Sequence, residues 1–414
     1  MVVVSVDRAY VYRFYPSKKK QEEALNRTLR LCCNLYNAAL EERIWAHRSG
    51  VNLRYTTQAN ELPVLKESLP EYREIHSQVL QDVLRRLDRA FEAFFRRVKQ
   101  KKGKAGFPRF KPKQRYRSFT YPQSGFELLP DGHIQLSRIG ALRVFMHRKP
   151  AGKVKTLTLK RDRVGDWFVI LVAELPDPAP RAQVVNPVGV DLGLEKLATL
   201  STGECVEPPK YLRKAEKRLA RAQRTLSRRR KGSGNRAKAR LRVAKIHRKI
   251  ERQRDDFVHK VSHTLAKRFD LIAFEDLNVE GMVRNNHFSK SMSDASWTKL
   301  VRYTSYKALS AGGRVVLVDP RGTSQVCFRC GVVVSKPLSA RVHKCSNCGF
   351  RVDRDLNASL NILRKAVPAG GGEFTPVEMS PLPLPYEEGQ ALSLKQEAHG
   401  FSRGRTSLGS PPSM

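Results

Sequence analysis

The sequence predicts a multidomain α+β protein: helices and a small all-β module first, then an α/β sheet domain interrupted by a basic helical hairpin and by a metal ribbon. Three observations predict it. Apolar residues recur every three or four positions in two stretches before residue 100, and short apolar runs separated by Gly and Pro fill 118–175. From 184 onward, apolar strand patterns alternate with helical ones.

Composition narrows the partner. The 414 residues carry a formal net charge of +39, with 78 Lys and Arg against 39 Asp and Glu, spread through most of the chain. That excess fits neither an ordinary metabolic enzyme nor a single solvated tail. A polyanion is expected, nucleic acid before a membrane surface. No apolar run approaches the ~20 residues that cross a bilayer, and the opening "MVVVSVDRAYVYRF" alternates like a strand, which predicts an intracellular protein. Seven cysteines, an odd count, argue against a disulfide framework and for a metal site.

Residues 2–14 read as a strand. Pro16 and the lysines at 18–20 lead into a helix whose Leu25, Leu29, Cys32, Tyr36 and Ala39 share one face, which makes Cys32 and Cys33 core residues. A second helix carries Leu80, Leu84, Leu87, Phe91, Phe94 and Val98 inward and leaves Arg85, Arg86, Arg96 and Arg97 outside. In "KKGKAGFPRFKPKQRYRSF" (101–119), cations and aromatics interleave as on a surface that grips phosphates and stacks bases. "SFTYP", "HIQL", "ALRVFM", "VKTLTLKRD" and "DWFVILVAEL" then form a small sandwich or barrel.

Further along, Leu212, Ala215, Leu219, Ala222 and Leu226 make a heptad series that "KGSGN" breaks. A second run through Leu241, Ala244, Ile250, Phe257, Val261 and Leu265 completes an antiparallel hairpin. About two dozen Lys and Arg against about four acids over 210–268 assign its other face to nucleic acid. Beyond 367, "PAGGGEFTPVEMSPLPLPYEEGQ" offers no apolar period and reads as a disordered tail.

"CFRC" (327–330) and "CSNC" (345–348) give two Cys-x2-Cys pairs across a spacer of fourteen residues, each followed by glycine. Four thiolates, Cys327, Cys330, Cys345 and Cys348, leave no open position and make a structural Zn2+ site. His343 lies close by but would be a fifth ligand, and is left out.

Acids occur at three apolar places: Asp191 in the middle of the apolar strand that opens "VVNPVGVDLGLEKLATLSTGE", Glu275 and Asp276 at the end of strand 271–274, and Asp353 and Asp355 before a helix carrying Leu356, Leu360 and Leu363. Each alone is more often a turn former or cap. Together, in so basic a chain, they suggest carboxylates converging on two Mg2+ ions, which activate water and stabilise the leaving oxygen of a phosphodiester. Between Asp353 and Asp355 the spacing does not choose. A helix beginning after Ser293 with Trp297, Leu300, Val301 and Ala308 inward, and "RVVLVD" as a buried strand, complete a βββαβα-like series compatible with an RNase H-like sheet carrying two insertions.

On "GVDLGLEKLATLSTGE", "IAFEDLNVEGM", "SDASWTKL", "GGRVVLVDPRGTSQVCFRCG" and "CSNCGFRVDRDLNASLNIL", in that order, the chain resembles the TnpB (OrfB) family of insertion-sequence RNA-guided nucleases, relatives of type V CRISPR effectors. "YRFYPSKKKQEEAL", "CNLYNAAL" and "GFPRFKPK" extend the resemblance to nearly everything but the tail. It implies a RuvC-like nuclease over 184–326 and 349–366, with the basic hairpin at 210–268, a zinc ribbon at 327–348, a helical recognition domain at 16–104 and a wedge-like β-barrel from 1–15 and 105–183. The implied triad is Asp191, Glu275 and Asp355, the last chosen because the family's acid opens Asp-x-Asn-Ala, here Asp355-Leu356-Asn357-Ala358.

The implied cofactors are Mg2+, with Mn2+ able to substitute, one Zn2+ and a guide RNA from the transposon end. The implied partner is double-stranded DNA beside a short motif, cut by a monomeric ribonucleoprotein in the bacterial or archaeal cytoplasm, at the nucleoid. Competing classes are a guided repressor without cleavage, a transposase or accessory factor on the same sheet, and a basic zinc-ribbon RNA-binding protein. "DPRGTSQ" is either near the catalytic centre or a plain turn, and neither Arg321 nor Gln325 is assigned.

Overall fold

The computed structural model describes residues 5–100, 105–176, 184–278, 282, 296–337 and 340–367. The expected tail, the helix start at Ser293 and the "KKGK" opening of the basic loop lie outside them. The chain divides into two compact units, one ending at Pro176 and the other following it. No helix among the described residues is long and apolar enough to cross a membrane.

In the first unit, β1 (Ser5–Phe14) runs antiparallel to β7 (Trp167–Pro176) through ten residue pairs, and the sheet continues through β6 (Lys153–Arg161) to β2 (Ser118–Tyr121). A second sheet joins β3 (Phe126–Leu128), β4 (His133–Leu136) and β5 (Gly140–Arg143). Strand β3 was not expected, because three residues are too few to show a period. The helices are α1 (Lys19–Arg48), the short α2 (Tyr55–Asn60) and α3 (Leu62–Ser68), and α4 (Ser77–Lys99).

Sheet and helices share one core: Tyr12 and Phe14 of β1, Cys32 and Tyr36 of α1, Leu80 and Leu84 of α4, and Phe119 and Leu159 all belong to it. Both Cys32 and Cys33 are buried. Arg86, expected outside, turns inward. Its guanidinium donates to Asp82 at 2.6 Å and to the Ser118 carbonyl and Thr120 hydroxyl of β2 at 2.7 and 2.6 Å. The apolar face of α4 also loses its cover early, since burial on this helix ends at Leu87.

The second unit is built on five strands in the order β10-β9-β8-β11-β12. These are β8 (Pro187–Asp191), β9 (Ala198–Leu200), β10 (Cys205–Val206), β11 (Leu271–Glu275) and β12 (Arg314–Val318). The first three form an antiparallel meander, while β11 lies parallel to both β8 and β12. Strand β12, expected to be buried, is the sheet's edge, with Leu317 half exposed. Both of its faces still pack, Val315 into one core cluster and Val316 and Val318 into another, while its outer edge is unpaired among the described residues.

Between β10 and β11 stand α5 (Tyr211–Ser227) and α6 (Gly234–Arg268), packed through Ala215, Leu219, Ala222, Ile246 and Ile250. Leu241, expected inside, is exposed: the buried face of α6 starts instead from Ala239. Helix α7 (Trp297–Ser310) covers one face of the sheet with Trp297, Leu300 and Tyr303 in its core. The described residues end in a two-stranded ribbon, β13 (Val342–Lys344) with β14 (Arg351–Asp353), and α8 (Arg354–Ala366).

Candidate active site and metal centre

Strand register delivers the first two acids. Val190 of β8 lies opposite Phe274 of β11 in the parallel ladder, so the next residues, Asp191 and Glu275, end adjacent strands side by side, about 4.8 Å apart along the sheet. The open end of parallel strands is where such sheets place their ligands.

The third acid arrives on α8, and Gly189 permits the approach. A Cβ there would sit 2.0 Å from the Ser359 carbonyl oxygen and 2.7 Å from the Leu363 nitrogen, so any side chain would push α8 off β8. Asp355, one turn before Ser359, is thereby brought to the same strand ends, and it is buried. Burial pushes the Asp191 carboxyl well above the usual carboxylate range; Glu275 and Asp355 push it further, while Arg354 pulls the other way. Glu275 is also raised by burial, opposed by the Thr323 hydroxyl and Lys365. Asp276, beside Glu275, is exposed.

Asp355 is held by cations of the protein itself. The Arg354 guanidinium donates to its Oδ1 from Nε at 3.0 Å and from Nη2 at 2.9 Å, and Arg341 stands 4.0 Å from Oδ2 while pairing with Glu195. Asp353 is engaged differently: it caps α8, accepting from the backbone N–H of Asp355 at 2.8 Å and of Leu356 at 3.3 Å, and pairs with Lys196 at 3.1 Å. The donor set, three acids of which Asp191 is raised by burial and then by the charge of the other two, suits a hard divalent cation.

Sequence reasoning missed the residues that hold the 319–328 loop against this site. Asn357, Asn361 and Lys365 lie one turn apart on one stripe of α8. Asn357 Nδ2 donates to the Val326 carbonyl at 2.8 Å, and its Oδ1 accepts from the Phe328 N–H at 3.0 Å. Asn361 donates to the Thr323 and Val326 carbonyls, and Lys365 to those of Asp319 and Arg321. The loop in turn presents Thr323, whose hydroxyl donates to Glu275 Oε1 at 2.5 Å. Polar residues four and eight positions apart on an otherwise buried helix were the available signal. "DPRGTSQ" is thus a turn that touches the acid site.

The metal centre begins where this loop ends. Cys327, Cys330, Cys345 and Cys348 are, among the described residues, the one set of at least three His, Cys, Asp or Glu side chains whose ligand atoms all lie within 4.8 Å of one another. Each pair sits in a knuckle: Gly331 N–H donates to the Cys327 carbonyl and Gly349 N–H to that of Cys345, with the glycines at φ +77° and +71°. Four thiolates around Zn2+ at 2.3 Å would stand about 3.8 Å apart. Cys327 and Cys348 are separated by 3.7 Å and Cys330 and Cys345 by 3.5 Å, so the set fits the ion. His343 stays outside it, buried, its Nδ1 against Lys336 Nζ at 2.6 Å.

Known proteins match this chain over most of its length. The family model OrfB_IS605, described as "Probable transposase", matches residues 170–286. A protein of Streptomyces pristinaespiralis named "Putative RNA-guided DNA endonuclease" is 37% identical over 376 residues, 88% of this chain and 90% of that one. The chain belongs to the OrfB (TnpB) family.

A second relative within that family, "Putative RNA-guided DNA endonuclease InsQ" of Escherichia coli K12, is 32% identical over 375 residues, 86% of this chain and 91% of its own. A model described as "Cas12f1-like, TNB domain" matches 297–362, the span of α7, β12, the cysteine knuckles and most of α8. The OrfB-family model described as "Helix-turn-helix domain" matches 1–51, which among the described residues holds one strand and one 30-residue helix. A solved structure titled "Structure of the mini-RNA-guided endonuclease CRISPR-Cas_phi3" aligns with 91% of this chain and 94% of that one, at 10% identity and a TM-score of 0.48.

Proposed function

We propose that this protein is an RNA-guided DNA endonuclease of a transposable element, cutting double-stranded DNA beside a short motif by metal-dependent phosphodiester hydrolysis. The observation that carries the proposal is the convergence of Asp191, Glu275 and Asp355 at one end of the sheet, in a chain of net charge +39 from this family. A protein that only occupied nucleic acid would have no use for three mutually repelling carboxylates, one buried and two partly so.

In this reading, 184–326 and 349–366 form a RuvC-like domain. The meander-then-parallel strand order and acids closing its first and fourth strands support that assignment. The cysteines at 327–348 hold one structural Zn2+. Residues 1–183 divide into a wedge-like β part, 1–15 and 105–183, and a helical recognition part, 16–104. Asp191, Glu275 and Asp355 hold Mg2+, which when bound supplies an activated water and neutralises the leaving oxygen. Thr323 orients the Glu275 carboxylate, Arg354 and Arg341 offset the Asp355 charge until the cation arrives, and Asp353 fixes the start of α8. Guide RNA provides sequence recognition by pairing, and the basic surfaces bind its backbone and the DNA without reading bases. The particle contains one copy of the chain.

The test is to sequence the RNA that copurifies and use it to program cleavage of a DNA library with randomised flanks, with Mg2+ and with EDTA. Guide-dependent, EDTA-sensitive double-strand breaks beside one motif are expected. Discrete RNA and guided binding without breaks at any divalent ion would overturn the nuclease reading.

A further inference from the structure

The apolar period of α4 outruns the core beneath it. Phe91, Phe94 and Val98 continue the face that Leu80, Leu84 and Leu87 bury, yet Val98 is 50% exposed and Phe95, on the neighbouring face, 60%. The loop that follows adds Phe107 and Phe110, 46% and 53% exposed. Phe95 and Phe107 belong to one cluster of rings. Phe107 stands edge-on to both Phe91 and Phe94, with ring centroids 5.5 and 5.3 Å apart, and Phe95 lies against the same two rings at 6.3 and 5.2 Å. Arg97 ties loop to helix by donating to the Gly106 carbonyl at 3.1 Å, and Arg43 lies over Phe91 at 5.2 Å.

The surroundings carry one sign of charge. From residue 93 to residue 126 the sequence contains no Asp or Glu, while Arg96, Lys99, Arg109 and Lys113 are exposed close to the rings in sequence. An exposed aromatic cluster needs an apolar partner, and this setting also demands an anion. Unpaired nucleotides supply both, since each base offers a flat π face and each link a phosphate. Duplex DNA keeps its base faces inside its own stack. A guide RNA accompanies the protein before any target is met, and so would cover the patch throughout.

We propose that the projecting end of α4 and the 105–110 loop form a stacking platform for unpaired bases of the guide RNA. This deepens the proposed function and rests on it for the identity of the RNA. Rings of Phe95, Phe107 and Phe110 take base faces, and the flanking cations take phosphates. The rigid T-shaped contacts hold the platform in shape before RNA binds.

The test uses the full chain, stripped of RNA at high salt and kept in EDTA, with an oligoribonucleotide containing 2-aminopurine, the DNA strand of the same sequence, and a DNA duplex. The triple variant Phe95→Ala/Phe107→Ala/Phe110→Ala is expected to lose most of the fluorescence quenching and at least about tenfold in affinity for the RNA strand. Its slope of log affinity against log salt should stay unchanged, duplex binding should hold, and melting temperature should match the parent. Arg96→Gln with Arg109→Gln should instead flatten the salt slope. Phe107→Trp keeps a stacking face and should retain quenching.

Undiminished quenching and RNA affinity in the triple variant would overturn the platform. So would a parent chain that sediments as a dimer and a triple variant that does not, because the rings would then meet a second copy. Binding is read without divalent ions, so failure to cleave leaves this inference standing, and loss of the platform leaves the nuclease reading standing.

Discussion

The second unit holds two ligand clusters that are assembled in opposite ways. The four thiols come from two short segments, each folded by its own backbone bonds around a left-handed glycine, and their sulfurs already stand at the spacing of a tetrahedral ion. The three carboxylates come from two strands and a helix more than 150 residues apart at the extremes, and burial together with the charges of the other two raises Asp191. Backbone geometry closes the first site. Packing forces the second, where Arg354 and Arg341 beside Asp355, and Thr323 and Lys365 beside Glu275, offset part of the charge. In the proposed function the first site holds its ion permanently and is local and satisfied, whereas the second works on a passing phosphate and is assembled across the sheet.

The sharpest way to break this contrast is to remove an acid. Asp191→Ala or Glu275→Ala should lower guided cleavage by more than about a hundredfold, while leaving RNA binding and bound zinc unchanged. Wild-type cutting rates in both would remove the working half of the comparison. Next comes the closed half: Cys327→Ser should lose zinc and cost several kcal/mol of stability, because binding and folding of such knuckles are one event. Zinc analysis and thermal melting of the same sample would read both.

Asn361→Ala probes the link between the clusters. It strips the Thr323 and Val326 carbonyls of a buried partner, at about 1–3 kcal/mol, and should lower cleavage about 10- to 100-fold with zinc retained. Unchanged kinetics would mean that the loop does not position Glu275.

The smallest effect is in pH. Asp191 and Glu275 are raised above their unfolded values, so the metal-free native chain binds protons that the unfolded chain has released. Its stability should therefore fall as pH rises from the ordinary carboxylate range through the raised values. Asp191→Asn should flatten that slope and raise the neutral Tm by about 2–4 °C for each kcal/mol relieved. Cleavage should run the other way, weakening as pH drops and the acids take up protons.

Which parts were legible follows from the same contrast. Cysteine spacing, helical period and the acid closing strand 271–274 are local patterns, so Cys327, Leu25 and Glu275 fall where pattern places them, whereas Asp191, expected in the middle of its strand, ends β8. Register and edge position are not local. Nothing in "RVVLVD" says that it closes a sheet on one side only, and nothing around Leu241 says which neighbour α6 will meet. Thr323 and Asn361 were invisible for the same reason, being 38 residues apart in sequence and bonded only in the fold. The overrun of α4 is the converse case: its period was legible, and the missing core beneath Val98 was not.

The central claim, that Asp355 works on the metal and Asp353 on the helix, is tested most directly by guided cleavage with Asp353→Asn and Asp355→Asn in parallel. The account predicts no product from Asp355→Asn at any Mg2+ concentration. From Asp353→Asn it predicts cleavage, in a protein less stable by about 0.5–2 kcal/mol through the weakened cap. Cleavage by Asp355→Asn, with none by a folded Asp353→Asn, would contradict it.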